Sequence, residues 1–268
     1  MTHLTRPNSL SVVLNHPDDL ARLPWAAAFA RRSRLPLTLM HVVDPLTSRE
    51  HPDNAEILAQ DMLSLAASSA LLKGLDVQTH LLEGSSEVVL PEYATANPNS
   101  VLMLVGGEHG TFARSLLGRG MDNVIRKLTS PILYLPPGLG GELAMERVVI
   151  GFDRSEISRS IVELARSLAA SESLQVTVVE VFEPGDVKPD VFSAISPTFE
   201  PDRIVMRGRP GPSLLAAARV RDVGLIAVGS HGWGRASGVH LGSTARWLSQ
   251  HADRPLLIVP AAGSQASP

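Results

Sequence analysis

Cysteine is absent, and with it go a disulfide framework, a thiolate nucleophile and any cysteine-ligated zinc or iron–sulfur site. Aromatic residues make up only 4% of the 268, so aliphatic side chains have to fill the interior. No run reaches the roughly 18 apolar residues of a membrane span, and the opening MTHLTRPNSLSVVL has no apolar stretch of signal-peptide length, so a cytoplasmic protein is expected. Basic charge is not in excess either. Lys and Arg number 24 against 27 Asp and Glu, a formal net charge of −3, which gives no overall pull toward nucleic acid or an anionic membrane. Any anion site has to be local. What is present, 44% hydrophobic and 19% charged residues, is the composition of a globular chain, and the length suits two ordinary domains.

The chain repeats itself. Ser11–Leu14 (SVVL) leads into Trp25–Arg34 and then Pro36–Asp44, and Arg147–Gly151 (RVVIG) leads into Ile157–Ala170 and then Leu174–Glu183, in each case strand, helix, strand. Later, Ser100–Gly107 and Gly224–Gly229 each run into a glycine-bearing loop, a helical stretch and a short strand opened by proline, Pro131–Pro136 and Pro255–Pro260. The strands are near-continuous runs of Val, Ile and Leu, the pattern of parallel strands covered on both faces, and their alternation with helices predicts βαβ units. The expected architecture is α/β: two tandem doubly wound domains, each a mainly parallel five-stranded sheet flanked by helices. Their predicted extents are 1–137 and 145–261, with the breaker-rich Pro137–Gly141 between them and a disordered tail over 262–268. The offset between copies is 136 at Val12 and Val148 but 124 at Pro131 and Pro255, so the second copy is shorter in between. Helical spacing over Ala55–Leu75, before the strand Val77–Leu82, has as its counterpart Pro184–Asp202, whose four prolines predict a surface loop.

The sharpest chemical signal is Gly229-Ser-His-Gly232, nine residues, then Gly242-Ser243-Thr244 at the start of a helix predicted over Ser243–His251. The loop follows the strand Leu225–Val228, and in doubly wound sheets ligands bind outside the carboxyl ends of the strands. Gly229 and Gly232 suit positive φ and close backbone approach, and Gly242 opens a helix whose unpaired N–H groups favour an anion, with the Ser243 and Thr244 hydroxyls beside them. Arg235, His231 and His240 are candidate cations for the same loop, and Trp233 is placed either over a bound base or as a loop closure. A P-loop is excluded by the lack of Gly-Lys-Ser or Gly-Lys-Thr after any strand, and a dinucleotide Gly-x-Gly-x-x-Gly is missing too.

With those residues in place, the chain resembles a tandem universal stress protein. The ATP-binding members of that family carry Gly-x2-Gly-x9-Gly followed by Ser or Thr, and Gly229, Gly232, Gly242 and Ser243 match without a gap. The resemblance covers about Ser9–Pro136 and Glu146–Pro260. It implies ATP, with or without Mg²⁺, as ligand of the second copy: Gly151, Phe152 and Asp153 against the nucleoside, Val181 offering its backbone to the adenine edge, and Val228, Gly229, Gly232, Gly242, Ser243 and Thr244 around the phosphates. It also implies pairing of the closing strands in an internal pseudo-dimer of the two domains, and leaves a homodimer of the whole chain open.

The first copy departs from the pattern. Matching VVLNHP to VVIGFD puts Pro17 at the Asp153 position unless Asp18 or Asp19 substitutes. Its loop aligns either with Gly107, Gly110 and Gly120 on the motif, which puts Met121 at the hydroxyl position, or with Leu117-Gly118 anchored to Pro131, which shortens the loop by two and puts Arg119 there. The second is preferred, and a first copy that binds nucleotide weakly or not at all is the expectation. Plainer roles stand beside these: Asp153 with Glu156 three residues on has the form of a capping box, Gly242-Ser243 is also an ordinary helix start, and His41 packs at a strand end. The nine histidines show no metal-ligand spacing. Competing functions are a slow ATPase or phosphotransferase at the same site and a scaffold that binds no nucleotide.

Overall fold

A computed structural model describes residues 7–44, 52–106, 124–125, 127–139, 146–169, 174–183, 202–231 and 241–260. It divides into two compact units, one spanning Pro7–Leu143 and one containing Ala144–Pro268.

In the N-terminal unit, β1 (Ser9–Val13), β2 (Leu37–Val43), β3 (Val77–Glu83), β4 (Ser100–Val105) and β5 (Ile132–Leu135) lie in the order β3-β2-β1-β4-β5, and every neighbouring pair is parallel. Parallel strands need crossovers, and helices supply them: α1 (Leu23–Ser33) joins β1 to β2, α2 (Pro52–Ala67) precedes β3, and α3 (Ser86–Ala96) joins β3 to β4. All six residues of β4 are buried, as its unbroken SVLMLV requires of a central strand. Helix α1 ends because Arg34 turns left-handed at φ 54°, its N–H bonding the Ala30 and Arg31 carbonyls. The helix expected over Ala55–Leu75 stops earlier, at Ala67. Ser68 Oγ donates to the Leu65 carbonyl and Ser69 Oγ accepts the Leu71 N–H, so these serines divert the backbone into a short 3₁₀ turn over Ala70–Leu72.

The C-terminal unit repeats the design. Here β6 (Arg147–Gly151), β7 (Gln175–Phe182), β8 (Asp202–Arg207), β9 (Leu225–Gly229) and β10 (Leu256–Val259) take the order β10-β9-β6-β7-β8, again all parallel. Helix α4 (Glu156–Ala169) follows β6, α5 (Pro210–Val220) follows β8 and α6 (Ser243–His251) precedes β10. The buried face of α4, with Ile161, Val162, Leu164 and Ala165, packs on Val148, Ile150, Val176 and Val178, which explains why its apolar residues recur at helical spacing. Strand β8 starts at the last residue of the expected loop Pro184–Asp202, and the rest of that loop lies outside the described residues, as do the tail 262–268 and the glycines 140–141.

In both units the order reverses beside the first strand, between β1 and β4 and between β6 and β9, and the carboxyl ends at that reversal are where such sheets take ligands. Among the described residues no helix is long and apolar enough to cross a membrane.

Candidate functional site

At the reversal in the C-terminal unit the carboxyl ends of β6, β7 and β9 and the first turn of α6 surround a cavity of about 620 Å³. Its floor begins at Gly151, the last residue of β6. A Cβ there would lie 2.9 Å from Leu214 Cδ1 and 3.1 Å from Val228 Cγ1, so glycine is what lets α5 and β9 close on the strand end. Phe152, buried, continues the ladder by donating its N–H to the Val179 carbonyl at 2.9 Å.

The chain then turns sharply. Asp153 Oδ1 accepts the Ser155 N–H at 3.0 Å, and Ser155 Oγ accepts the Ser158 N–H at 3.1 Å. Ser155 is therefore the residue that caps α4, and the capping box of Asp153 with Glu156 is corrected: the helix begins at Glu156, too late for Asp153 to stand at its cap. Between them Arg154 sits at φ 67°, a left-handed conformation that costs a non-glycine residue about 1–2 kcal/mol. Its side chain returns over β7, where Nε meets Glu180 Oε1 at 2.6 Å and Nη2 lies 3.4 Å from Oε2. Both side chains are largely buried, at 15% and 10% exposure, and both line the cavity.

On the opposite wall the glycine loop is held at its two ends. The Ser230 N–H donates to the Val259 carbonyl at 2.8 Å, and the Ser230 carbonyl accepts the Gly242 N–H at 2.7 Å. This clasp carries the N-terminus of α6 over the end of β9. Among the described residues no side chain caps that helix, so its first amides are presented, with Ser243 and Thr244, to the cavity. Gly229 is required for close approach, since a Cβ would come within 2.8 Å of Ile157 Cγ2 and 2.9 Å of the His231 carbonyl oxygen. Positive φ is not the reason: the described glycines in that region are Gly74, Gly84, Gly138 and Gly208, and the expectation for Gly229 is corrected accordingly.

Of the residues singled out in the sequence, Gly151, Phe152, Asp153 and Val181 line one side of this cavity, and Val228, Gly229, Gly242, Ser243 and Thr244 the other. Gly232 lies outside the described residues, with Trp233, Arg235 and His240. His231 lines the cavity, its Nδ1 3.0 Å from Ser230 Oγ. Sequence reasoning missed the Arg154–Glu180 pair and the apolar contributions of Leu214 and Pro210. An arginine next to the motif aspartate was the available signal for that pair.

Hydrogen-bond register relates the two units directly. Leu14 N–H donates to the Met40 carbonyl as Phe152 N–H does to Val179, and Val13 pairs with Met40 as Gly151 pairs with Val179. Asn15, not Pro17, therefore stands at the Asp153 position, because aligning the two Val-Val pairs misplaces the strand by two residues. Of the two nearby aspartates, Asp18 lies exposed beside His16, its Oδ2 3.2 Å from Nδ1, and Asp19 faces inward. Asp19 Oδ2 turns back to accept the Asn15 and His16 N–H groups at 2.8 and 2.9 Å, while burial pushes its carboxyl above the usual range against the pull of those bonds. Asn15 Oδ1 accepts the N–H of Val42, the counterpart of Val181. On the other wall, Gly106 N–H bonds the Leu135 carbonyl as Ser230 N–H bonds Val259. That constant offset of 124 puts Val105 at the Gly229 position, so Gly107 is not the first motif glycine. It agrees with the Arg119 alignment, with no shortening of the loop, whose residues 107–123 lie outside the described ones.

The chain is thus a pair of doubly wound α/β units, the C-terminal one with a crevice built from β-strand ends, a glycine turn and the N-terminus of a helix. The model of the universal stress protein family matches residues 10–136 and 196–260, and the chain belongs to that family. A universal stress protein of Mycolicibacterium smegmatis is 26% identical over 89% of this chain and 92% of its own length. One of Mycobacterium tuberculosis is 22% identical over 94% and 96%. Among solved structures, a universal stress protein from Archaeoglobus fulgidus superposes with a TM-score of 0.73 at 19% identity, covering 95% of this chain and 97% of that one, a likeness of fold.

Proposed function

We propose that the protein binds ATP in its C-terminal unit, one molecule per chain, and uses the bound nucleotide as a conformational or assembly signal in the stress response. The carrying observation is convergence: nine of the ten residues picked out by the motif lie on one cavity of about 620 Å³, a size suited to a small-molecule ligand. The division of labour follows from the walls. Backbone amides of α6 with the Ser243 and Thr244 hydroxyls offer donors to phosphate oxygens, and Asp153 offers a carboxylate to sugar hydroxyls.

Among the described residues no group of three or more His, Asp or Glu is placed to hold a metal ion. Mg²⁺ would enter this site as a companion of the phosphates, its usual mode with nucleotides. Binding is favoured over turnover because the β9–α6 wall presents amides and hydroxyls, which hold a phosphate, while phosphoryl transfer also needs a positioned nucleophile and charge stabilisation at the transferred group.

Equilibrium titration of the whole chain with ATP, with and without Mg²⁺, followed by measurement of phosphate release from the same sample, tests this. One saturable site and negligible release are expected. No binding overturns the proposal, and release at an enzyme's rate replaces it with the ATPase reading.

A further inference from the structure

The Arg154–Glu180 pair has no use in the scheme above, and stability does not account for it. Taking both charges out of water costs about what their attraction returns, and Arg154 adds backbone strain at φ 67°. The N-terminal unit shows what the fold does without it. There the same two register positions carry His16 and His41. His16 has an ordinary extended backbone at φ −138° and caps a 3₁₀ turn, and His41 donates through Nδ1 to the Leu14 carbonyl at 2.6 Å. The strained turn and the ion pair belong to the unit whose carboxyl ends form the cavity.

Their position tells what they face. Glu180 is on β7, and β6 separates β7 from β9, whose end carries the amides of the glycine loop. The pair is therefore at the end of the cavity away from the phosphate donors, where Val179, Val181 and Phe182 of β7 supply apolar wall and Glu183 follows them. Glu180 grips the guanidinium along its Nε–Nη2 edge, which fixes the plane and compensates the charge. A flat, orientation-locked guanidinium at an apolar end suits the face of an aromatic ring better than a phosphate.

We propose that Arg154 is a base-recognition residue: the planar heteroaromatic base of the bound nucleotide stacks on its guanidinium, and Glu180 is the positioning residue that holds it in place. This rests on the nucleotide reading of the cavity.

The test is calorimetric titration of the full chain with adenosine, AMP and ATP, for wild type, Arg154→Asn, Glu180→Gln and the double variant. Asparagine tolerates the left-handed backbone, so the turn survives. Arg154→Asn is expected to weaken all three ligands by the same factor, about tenfold. Glu180→Gln should lose less, and the double variant no more than Arg154→Asn alone, as for two residues in contact. Ribose 5-phosphate, which has no base, should bind wild type and Arg154→Asn alike, whereas a pair that only shapes the cavity would weaken it too. Wild-type binding with unchanged variants, or a loss that grows with phosphate number, overturns the stacking role and leaves the nucleotide site standing. A wild type that binds none of the three ligands overturns both.

Discussion

The side-chain oxygen of Asn15 accepts the backbone N–H of Val42 at 3.0 Å, across the ends of β1 and β2. In the C-terminal unit the matching carboxylate, Asp153, turns to its own Ser155 N–H, and the space between Asp153 and Val181 belongs to the cavity. One fold thus carries two treatments of the same corner: closed by its own amide in one copy, open in the other.

The proposed function predicts one ATP per chain, a count that should survive Asn15→Ala, because Val105 still stands where the loop needs Gly229. That substitution leaves the Val42 N–H, on a residue only 6% exposed, without its acceptor, so the N-terminal unit should lose about 1–3 kcal/mol. Titration together with denaturant unfolding checks both halves. A second ATP site in the wild type would contradict the self-closed corner, and one appearing only in the variant would contradict the block at Val105.

Much of this was legible in the residues themselves. Helix α6 was predicted at its observed bounds because Gly242 and His251 bracket it, and the parallel strands announced themselves as unbroken aliphatic runs. Strand β8 was hidden by its charges: DRIVMR is half exposed along its length, with neither a continuous apolar run nor clean alternation. The Asp153 counterpart was misplaced because two Val-Val pairs look alike while register depends on carbonyl partners 26 or 27 residues away. Arg154 was unreadable for a similar reason. Its partner is 26 residues off, and only a left-handed backbone turns it that way.

His41 makes the N-terminal unit sensitive to mild acid. Burial lowers its pKa below 6.5, against the bond to the Leu14 carbonyl that raises it. The unfolded chain therefore takes up a proton before the folded one does. The contribution to stability is complete above pH 6.5 and is lost as pH falls toward the folded value. His41→Gln should flatten the dependence of the unfolding midpoint in that window. A slope identical to wild type between pH 7 and about 5 would show that another group sets it.

Gly211, in the first turn of α5, should resist even alanine. Alanine is worth roughly 1 kcal/mol over glycine inside a helix, but a Cβ here would lie 2.6 Å from Trp247 Cε3 and 3.2 Å from its Cβ. Trp247 cannot swing away freely, being stacked on His251 with ring centroids 4.3 Å apart. Overpacking of this kind typically costs about 1–3 kcal/mol, so Gly211→Ala should destabilise the C-terminal unit on balance. A gain in thermal stability would mean that α5 and α6 can slide apart at no cost.

The phosphate end of the cavity can be tested without touching the base end. Ser243→Ala removes one hydroxyl donor to a charged oxygen, a loss of about 1.5–3 kcal/mol for ATP and none for adenosine. Gly229→Val acts differently. Its side chain must push the His231 carbonyl or Ile157 aside, which undoes the clasp between Ser230 and Gly242 that positions α6. ATP affinity should fall further than in Ser243→Ala, and adenosine should be weakened much less than ATP. Equal losses for the two ligands in both variants would place the phosphates somewhere other than the N-terminus of α6, and unchanged ATP binding in Gly229→Val would remove the glycine loop from the site altogether.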